Sequence, residues 1–142
     1  MLTAGTTDLE LIQVWLDSDP RARVRVNFPI NKAAGSADSA VVYFEIQPGD
    51  RLGRHTDSAE EVLYIVAGTA EAEVGDETGV VSAGDLAVIP AMVPHGLRNV
   101  GDEPVKVVGF FSEAEIVSTF DEPVQPVGAS SMVQAPITPV AA

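Results

Sequence analysis

The sequence of 142 residues contains no cysteine and only two histidines. The absence of cysteine excludes disulfide frameworks, thiolate metal sites and cysteine nucleophiles. Any imidazole chemistry in this protein must therefore use His55 and His95, because the chain has no other histidine.

Basic residues are also scarce, since eight Lys and Arg stand against 21 Asp and Glu and the formal net charge is −13. Such a charge repels phosphate backbones and anionic lipids, so we predict neither a nucleic-acid partner nor a membrane partner. No apolar run approaches the ~20 residues of a membrane-spanning helix, and the N-terminus lacks the basic and apolar regions of a secretory signal. We therefore expect a cytoplasmic protein with a single domain.

Short β-favouring segments, separated by Gly and Pro, follow one another from residue 11 to residue 111. Alternating polar and apolar residues at 21–28 predict a half-exposed strand, whereas the mainly apolar segments 40–46 and 62–66 predict more buried strands. Several short strands with turns at intervals of about 8–12 residues are typical of a β-sandwich or a small β-barrel. The sequence therefore predicts an all-β fold.

We divide the chain into an N-terminal strand or arm (1–20), a β-barrel (21–111) and a C-terminal extension (112–142). Within the extension, Glu113–Phe120 is expected to form either a short helix, with Ile116 and Phe120 on one face, or a loop. The Pro/Ala-rich segment after Phe120 has no strand or helix pattern. We expect it to be either an extended arm or a partly disordered tail.

The two histidines and two acidic residues occur in an order that favours a metal site. His55 and Asp57 are two residues apart, which places both on one face of a strand. Glu61 follows a turn and opens the next strand, and His95 follows a proline-rich loop. Imidazole and carboxylate ligands together favour Fe(II) or Mn(II), with Zn or Ni as further possibilities. For His95 taken alone, a structural hydrogen-bonded role is the alternative.

These segments resemble the two motifs of the cupin superfamily. The first motif is matched in its spacing at Gly49, His55, Asp57, Glu61 and Gly68. The second is matched in its spacing at Gly84, Pro90, Met92, His95 and Asn99. Two positions differ in residue type, because Asp57 replaces the usual second histidine and Met92 replaces the usual middle glycine. The resemblance implies a jelly-roll β-barrel that binds a divalent metal ion and is usually a homodimer.

The resemblance also implies roles for individual residues. His55, Glu61 and His95 correspond to cupin metal ligands, and Asp57 stands at a ligand position with a different chemistry. Asp57 either reaches the metal, binds it through water or points elsewhere. Three or four protein ligands leave coordination positions open, as a catalytic metal requires. Glu61 and Asp57 are therefore also the candidate catalytic residues, since a carboxylate that the metal does not hold can carry a proton.

Four further residues are predicted to line a substrate pocket. Arg51 precedes His55 at period two, so it could face inward and bind a substrate carboxylate; the alternative is a surface arginine at the barrel rim. Leu63 and Leu97 would form apolar walls. Met92 would either cap the pocket or fill a gap.

The resemblance implies several activities, including dioxygenases, isomerases, decarboxylases and lyases. We predict a metal-dependent, dioxygenase-like oxidoreductase that acts on a small organic molecule, because the ligand set leaves adjacent positions open. One alternative is a cupin that binds or senses a small molecule without catalysis, which the missing second histidine favours. Another is a barrel in which both histidines are structural.

Overall fold

The computed structural model describes residues 1–137, which form twelve β-strands and a short 3₁₀ helix at Lys32–Ala34. The strands are β1 (Ile12–Leu16), β2 (Asp19–Ile30), β3 (Ala40–Ile46), β4 (Arg51–Asp57), β5 (Glu61–Ala67), β6 (Thr69–Val74), β7 (Glu77–Ser82), β8 (Leu86–Ile89), β9 (His95–Asn99), β10 (Val105–Phe111), β11 (Val117–Gln125) and β12 (Ala129–Val133). The predicted all-β fold is confirmed. Residues 1–137 contain no helix that is both long and apolar enough to cross a membrane.

The strands are joined in the order β7-β6-β9-β4-β11-β1-β2-β3-β10-β5-β8, and β12 pairs with β11. All neighbours in this order are antiparallel. An additional parallel pairing between Ala22 and Arg51 joins β2 to β4, which are otherwise separated by two strands. This pairing draws distant parts of the sheet together around one interior.

The interior is lined by alternate residues of the strands, as the twofold period of a β-strand requires. Strands β3 and β10 pair over seven residues each, from Ala40 with Phe111 to Ile46 with Val105. Ile46, Ile65 and Val107 are almost completely buried in the resulting apolar core. Burial of such β-branched side chains against one another is a main source of stability in a fold of this size.

The turn between β5 and β6 depends on Gly68. Its φ of +84° lies in the left-handed region, and a Cβ atom there would come within 2.7 Å of the Pro104 carbonyl oxygen. Only glycine meets both demands without strain. This turn fixes where β6 begins beside β9.

The C-terminal extension is more regular than its sequence pattern suggested. Residues 113–116 form a loop, but β11 begins at Val117, so the alternative of a short helix through Phe120 is wrong. The segment after Phe120, for which we predicted an arm or a tail, supplies the rest of β11 and all of β12. These strands form because β4, β1 and β11 itself provide partners for their backbone groups. The last five residues of the predicted tail lie outside the described residues.

Candidate metal centre

The two histidines and two acidic residues meet in the interior, where paired strands β4 and β9 face β5 from the other end of the strand order. His55 and Asp57 lie in the last three residues of β4, Glu61 opens β5 and His95 opens β9. The antiparallel register of β4 and β9 places His55 opposite His95, and their ring centroids are 4.2 Å apart. All four side chains are buried, so strand alternation and register together bring them into the interior.

His55, Asp57 and His95 form a tight cluster in which each residue offers one ligand atom within 4.8 Å of the others. Asp57 Oδ2 lies 3.5 Å from His55 Nε2 and 3.2 Å from His95 Nε2. Glu61 borders this cluster, since its Oε1 lies 3.6 Å from His95 Nε2. We call His55, Asp57 and His95 the His-Asp-His cluster. It is a buried site that could hold a metal ion.

Backbone contacts orient both imidazole rings towards this cluster. His55 Nδ1 lies 2.8 Å from the Gly53 carbonyl oxygen, and His95 Nδ1 lies 2.9 Å from the Val93 carbonyl oxygen. A carbonyl oxygen can only accept, so each Nδ1 carries a hydrogen and each Nε2 faces the cluster. This outer-shell arrangement is the usual one for metal-binding histidines.

The His95 ring also shows that a metal fits here. Its Nε2 is buried and has no well-formed hydrogen bond to any of residues 1–137. A buried nitrogen without a well-formed hydrogen bond is costly, and a metal ion would satisfy it. Two imidazole nitrogens and one or two carboxylates are a suitable donor set for a divalent transition metal.

The buried charges change the protonation of these groups. Burial raises the pKa of the Asp57 carboxyl, but its contacts with His55 and His95 outweigh burial and hold that pKa well below its usual range. Burial raises the pKa of the Glu61 carboxyl above its usual value. Burial lowers the pKa of His95, but the carboxylates of Asp57 and Glu61 outweigh it and raise that pKa to about 10. The two carboxylates therefore differ, because Asp57 favours its charged form and Glu61 its neutral form.

Strand β11 adds two side chains, Ser118 and Phe120, that sequence analysis did not place at the site, and Gln134 after β12 contacts Ser118. Ser118 pairs with Asp57 across the sheet, and its hydroxyl donates a 2.7 Å hydrogen bond to Asp57 Oδ1. Phe120 pairs with His55 and stacks on its ring, with centroids 4.7 Å apart. Gln134, just after β12, donates a 3.1 Å hydrogen bond from Nε2 to Ser118 Oγ.

A signal for two of these residues was present in the sequence. Ile116, Ser118 and Phe120 occur at a spacing of two, which fits one face of a strand. The spacing of four between Ile116 and Phe120 also fits a helix, and this short segment does not distinguish the two. No sequence signal pointed to Gln134.

The cluster lies at the wall of a cavity of about 70 Å³. This volume would accommodate about five water molecules or a small organic group. The lining is mainly apolar and includes Val26, Phe44 and Phe111. Val127 also lines the cavity and is 53% exposed, so the cavity reaches the protein surface near the β11–β12 turn.

Two of the four predicted pocket residues line this cavity and two do not. Leu63 and Leu97 are buried in its wall. Met92 is not in the lining, because its φ of +62° belongs to a turn in which its side chain is 61% exposed. A left-handed residue of this kind explains why glycine is usual at that motif position.

Arg51 is also outside the cavity lining, where Leu52 takes the place predicted for it. Arg51 instead lies near the surface and forms an ion pair with Asp19, with Nη2 and Oδ2 2.9 Å apart. The reason is a β-bulge in β4: Leu52 pairs with Leu97 and His55 pairs with His95, which leaves one extra residue in β4. An extra residue reverses the inward and outward alternation, so the assumed common face of Arg51 and His55 is wrong.

Comparison with known proteins places this site in a family. Residues 42–111 match the profile of the Cupin domain. The protein named polyketide synthase CurC from Streptomyces cyaneus is 36% identical over 64 residues, which cover 44% of this chain and 42% of that protein. Protein SchB from Streptomyces halstedii is 30% identical over 76 residues, which cover 53% of this chain and 55% of that protein. The match thus spans about half the length of these curated relatives.

Solved structures share the fold. Lactobacillus farciminis oxalate decarboxylase, solved as a formate complex, has a TM-score of 0.64 and 28% identity over 76% of this chain and 32% of that chain. Bacillus subtilis oxalate decarboxylase, in a study of its Mn(II) centres, has a TM-score of 0.58 and 23% identity over 65% of this chain and 26% of that chain. The resemblance inferred from the two motifs is confirmed. The chain carries a cupin domain, at residues 42–111, within an all-β barrel of the cupin type.

Proposed function

We propose that this protein is a metal-dependent, dioxygenase-like enzyme that acts on a small, mainly apolar organic molecule of polyketide origin. The observation that carries this proposal is the position of the His-Asp-His cluster, buried at the wall of an apolar cavity that reaches the surface. A metal held there would be accessible to a molecule in the cavity, as catalysis requires.

The donor set supports Fe(II) or Mn(II) over a softer metal, since carboxylate oxygen accompanies imidazole nitrogen. His55, Asp57 and His95 would hold the ion, and Glu61 is close enough to contribute from the side of His95. When bound, such an ion supplies a redox-active Lewis acid beside the cavity.

The protein's own residues prepare this site in separate ways. Ser118 fixes one oxygen of Asp57 by hydrogen bonding and leaves the other oxygen facing the two imidazoles. Glu61 also lines the cavity, and where the metal does not hold its carboxylate, Glu61 can carry a proton and exchange it with a substrate. Phe120 packs on the His55 ring and limits its rotation. The apolar walls exclude bulk water from the reaction.

The cavity lining also supports the substrate class. Its described lining contains two carboxyl groups and neither Lys nor Arg, so apart from the metal ion a small dianion such as oxalate would find no basic side chain to hold its second carboxylate. The activity named for the oxalate decarboxylases is therefore not the one we propose. A polyketide-derived molecule, as suggested by the name of the Streptomyces cyaneus relative, is apolar enough to enter.

Metal analysis and oxygen uptake together test the proposal. The chain is purified without a His-tag or a chelator, and its metal content is measured by plasma mass spectrometry. We expect about one Fe or Mn per chain, as one cluster implies, and consumption of dioxygen when small phenols, diketones or keto acids are added. The matched control is Asp57→Ala, which removes a cluster residue.

Two results would contradict the proposal that this protein is an enzyme. A protein that takes up no Fe or Mn on reconstitution lacks the proposed centre. A metal-loaded protein that binds phenols or diketones but consumes no dioxygen would instead be the small-molecule binding or sensing cupin that is the alternative reading.

A further inference from the structure

Gln134 is a polar cavity residue that the proposed metal centre does not use. It lines the cavity, and only 4% of its surface is exposed. The other polar lining residues among residues 1–137 are the four charged or imidazole groups of the centre and Ser118, which binds Asp57 directly. Burying an amide in otherwise apolar surroundings is unfavourable unless both of its ends are hydrogen-bonded.

Hydrogen bonds determine which way the Gln134 amide faces. The Ser118 hydroxyl donates its one hydrogen to Asp57 Oδ1, 2.7 Å away. Ser118 Oγ then has only lone pairs left for Gln134, and it must face the amide nitrogen. The Gln134 carbonyl oxygen is consequently directed away from Ser118.

That carbonyl oxygen, Oε1, is buried and has no hydrogen-bond partner among residues 1–137. An unsatisfied buried acceptor costs about 1–3 kcal/mol, and such groups in native proteins call for an explanation. A ligand in the cavity that carries a hydrogen-bond donor would supply the missing partner.

We propose that Gln134 is a specificity-determining residue, whose Oε1 accepts a hydrogen bond from a hydroxyl or N–H group of the bound molecule. This inference rests on the proposed function, since it concerns the molecule that enters the same cavity. It predicts preference for apolar molecules with a hydroxyl group over their methyl ethers, because an ether oxygen has no hydrogen to donate.

The test compares phenol with anisole, its methyl ether, by calorimetric titration of the wild-type protein and of Gln134→Met. Methionine keeps the length of the side chain but removes both ends of the amide. Because phenol could also interact with a metal, the informative quantity is the change in the phenol-to-anisole affinity ratio between the two proteins. The titrations are made on metal-loaded and on metal-free protein.

We expect the ratio to fall about tenfold in Gln134→Met, because a buried hydrogen bond is lost for phenol alone. The control is Gln47→Met, the same substitution at an exposed position, which should keep the wild-type ratio. Metal content of Gln134→Met is measured in parallel and should equal that of the wild type, since Gln134 does not reach the cluster.

An unchanged ratio in Gln134→Met with intact metal content would overturn the inference, as would failure of the wild type to bind either probe. These results are distinguishable from failure of the proposed function. If the wild type takes up no metal but the ratio still depends on Gln134 in the metal-free protein, the specificity role stands and the enzyme proposal falls.

Discussion

Ser118 lies directly opposite Asp57 in the register of β11 and β4, and its hydroxyl donates a 2.7 Å hydrogen bond to the Asp57 carboxylate. A charged carboxylate that is buried needs such donors. The bond leaves Asp57 Oδ2 as the oxygen that faces both imidazoles. A residue of the C-terminal extension thus orients a residue of the first cupin motif.

Replacing Ser118 should weaken metal binding without unfolding the barrel. In Ser118→Ala the Asp57 carboxylate loses its buried hydrogen-bond donor and is free to rotate. Loss of a hydrogen bond that orients a metal ligand typically lowers metal affinity about 10–100-fold. The affinity is measured by competition with a chelator. Ser118→Thr, which keeps the hydroxyl, should restore part of the loss. Equal affinity in Ser118→Ala and wild type would show that Ser118 does not position Asp57.

Removing the His95 imidazole should empty the metal site. His95→Ala deletes a candidate ligand whose buried Nε2 makes no well-formed hydrogen bond within residues 1–137, so we expect metal content to fall about tenfold or more. Circular dichroism should show an unchanged β-sheet spectrum. Glu60→Ala, at the exposed neighbour of Glu61, is the control and should retain metal. Full metal occupancy in His95→Ala would refute this assignment of the site.

The stability of the metal-free protein should fall as pH rises above neutrality. The folded-state pKa of His95, about 10, exceeds its ordinary value of 6.5. A raised histidine pKa contributes stability that is complete below about pH 6.5 and is lost as pH rises towards 10. Thermal midpoints measured between pH 6 and 10 should therefore decrease, and more steeply in the wild type than in His95→Ala. Parallel slopes in the two proteins would contradict the raised pKa.

Metal affinity should change with pH in the opposite direction. A metal ligand must be unprotonated, so binding displaces the proton that His95 carries at neutral pH. We expect affinity to increase between pH 6 and 9, with release of about one proton per metal bound near pH 7. Calorimetric titration in buffers of different ionisation enthalpy measures this proton release. Metal binding that does not depend on pH would exclude His95 as a ligand.

Gly109 in β10 provides the space that the Glu61 carboxylate occupies. A Cβ atom on Gly109 would lie 2.2 Å from Glu61 Oε2 and 2.8 Å from Val42 Cγ1. Gly109→Ala should therefore displace Glu61 and destabilise the protein by about 1–3 kcal/mol, as measured by urea unfolding. Part of this loss should be absent when Glu61→Ala is already present, because the two residues are in contact.

The control for this experiment is Gly79→Ala, where nothing lies within 4 Å of the added Cβ. Alanine at this position restricts the backbone of the unfolded chain. The free energy of unfolding should therefore stay unchanged or rise by about 0.4–1 kcal/mol. Additive effects of Gly109→Ala and Glu61→Ala would show that Gly109 does not accommodate the carboxylate.

A homodimer stays a prediction from the family resemblance. Static light scattering at two protein concentrations should give twice the mass of the chain at both. A mass equal to that of one chain would contradict the prediction, and metal content measured on the same sample would show whether the site forms without a second copy.

The sequence by itself predicted the all-β fold and the residues of the candidate metal centre, because both depend on local patterns. Strand alternation places His55 and Asp57 on one face, and the turn before Glu61 is visible in the chain. The resemblance then linked these residues to His95 across 33 intervening positions. A sequence reveals these positions because the spacing of residues along a strand determines the direction of each side chain.

Only the tertiary structure decided the remaining features. Because of the bulge in β4, Leu52 rather than Arg51 lines the cavity. The pairing of β11 with β4 places Ser118 beside Asp57. The chain that follows β12 places Gln134 beside Ser118. The physical reason is that a bulge, a strand pairing and a side-chain hydrogen bond each depend on a partner distant in sequence, which no local pattern of residues specifies.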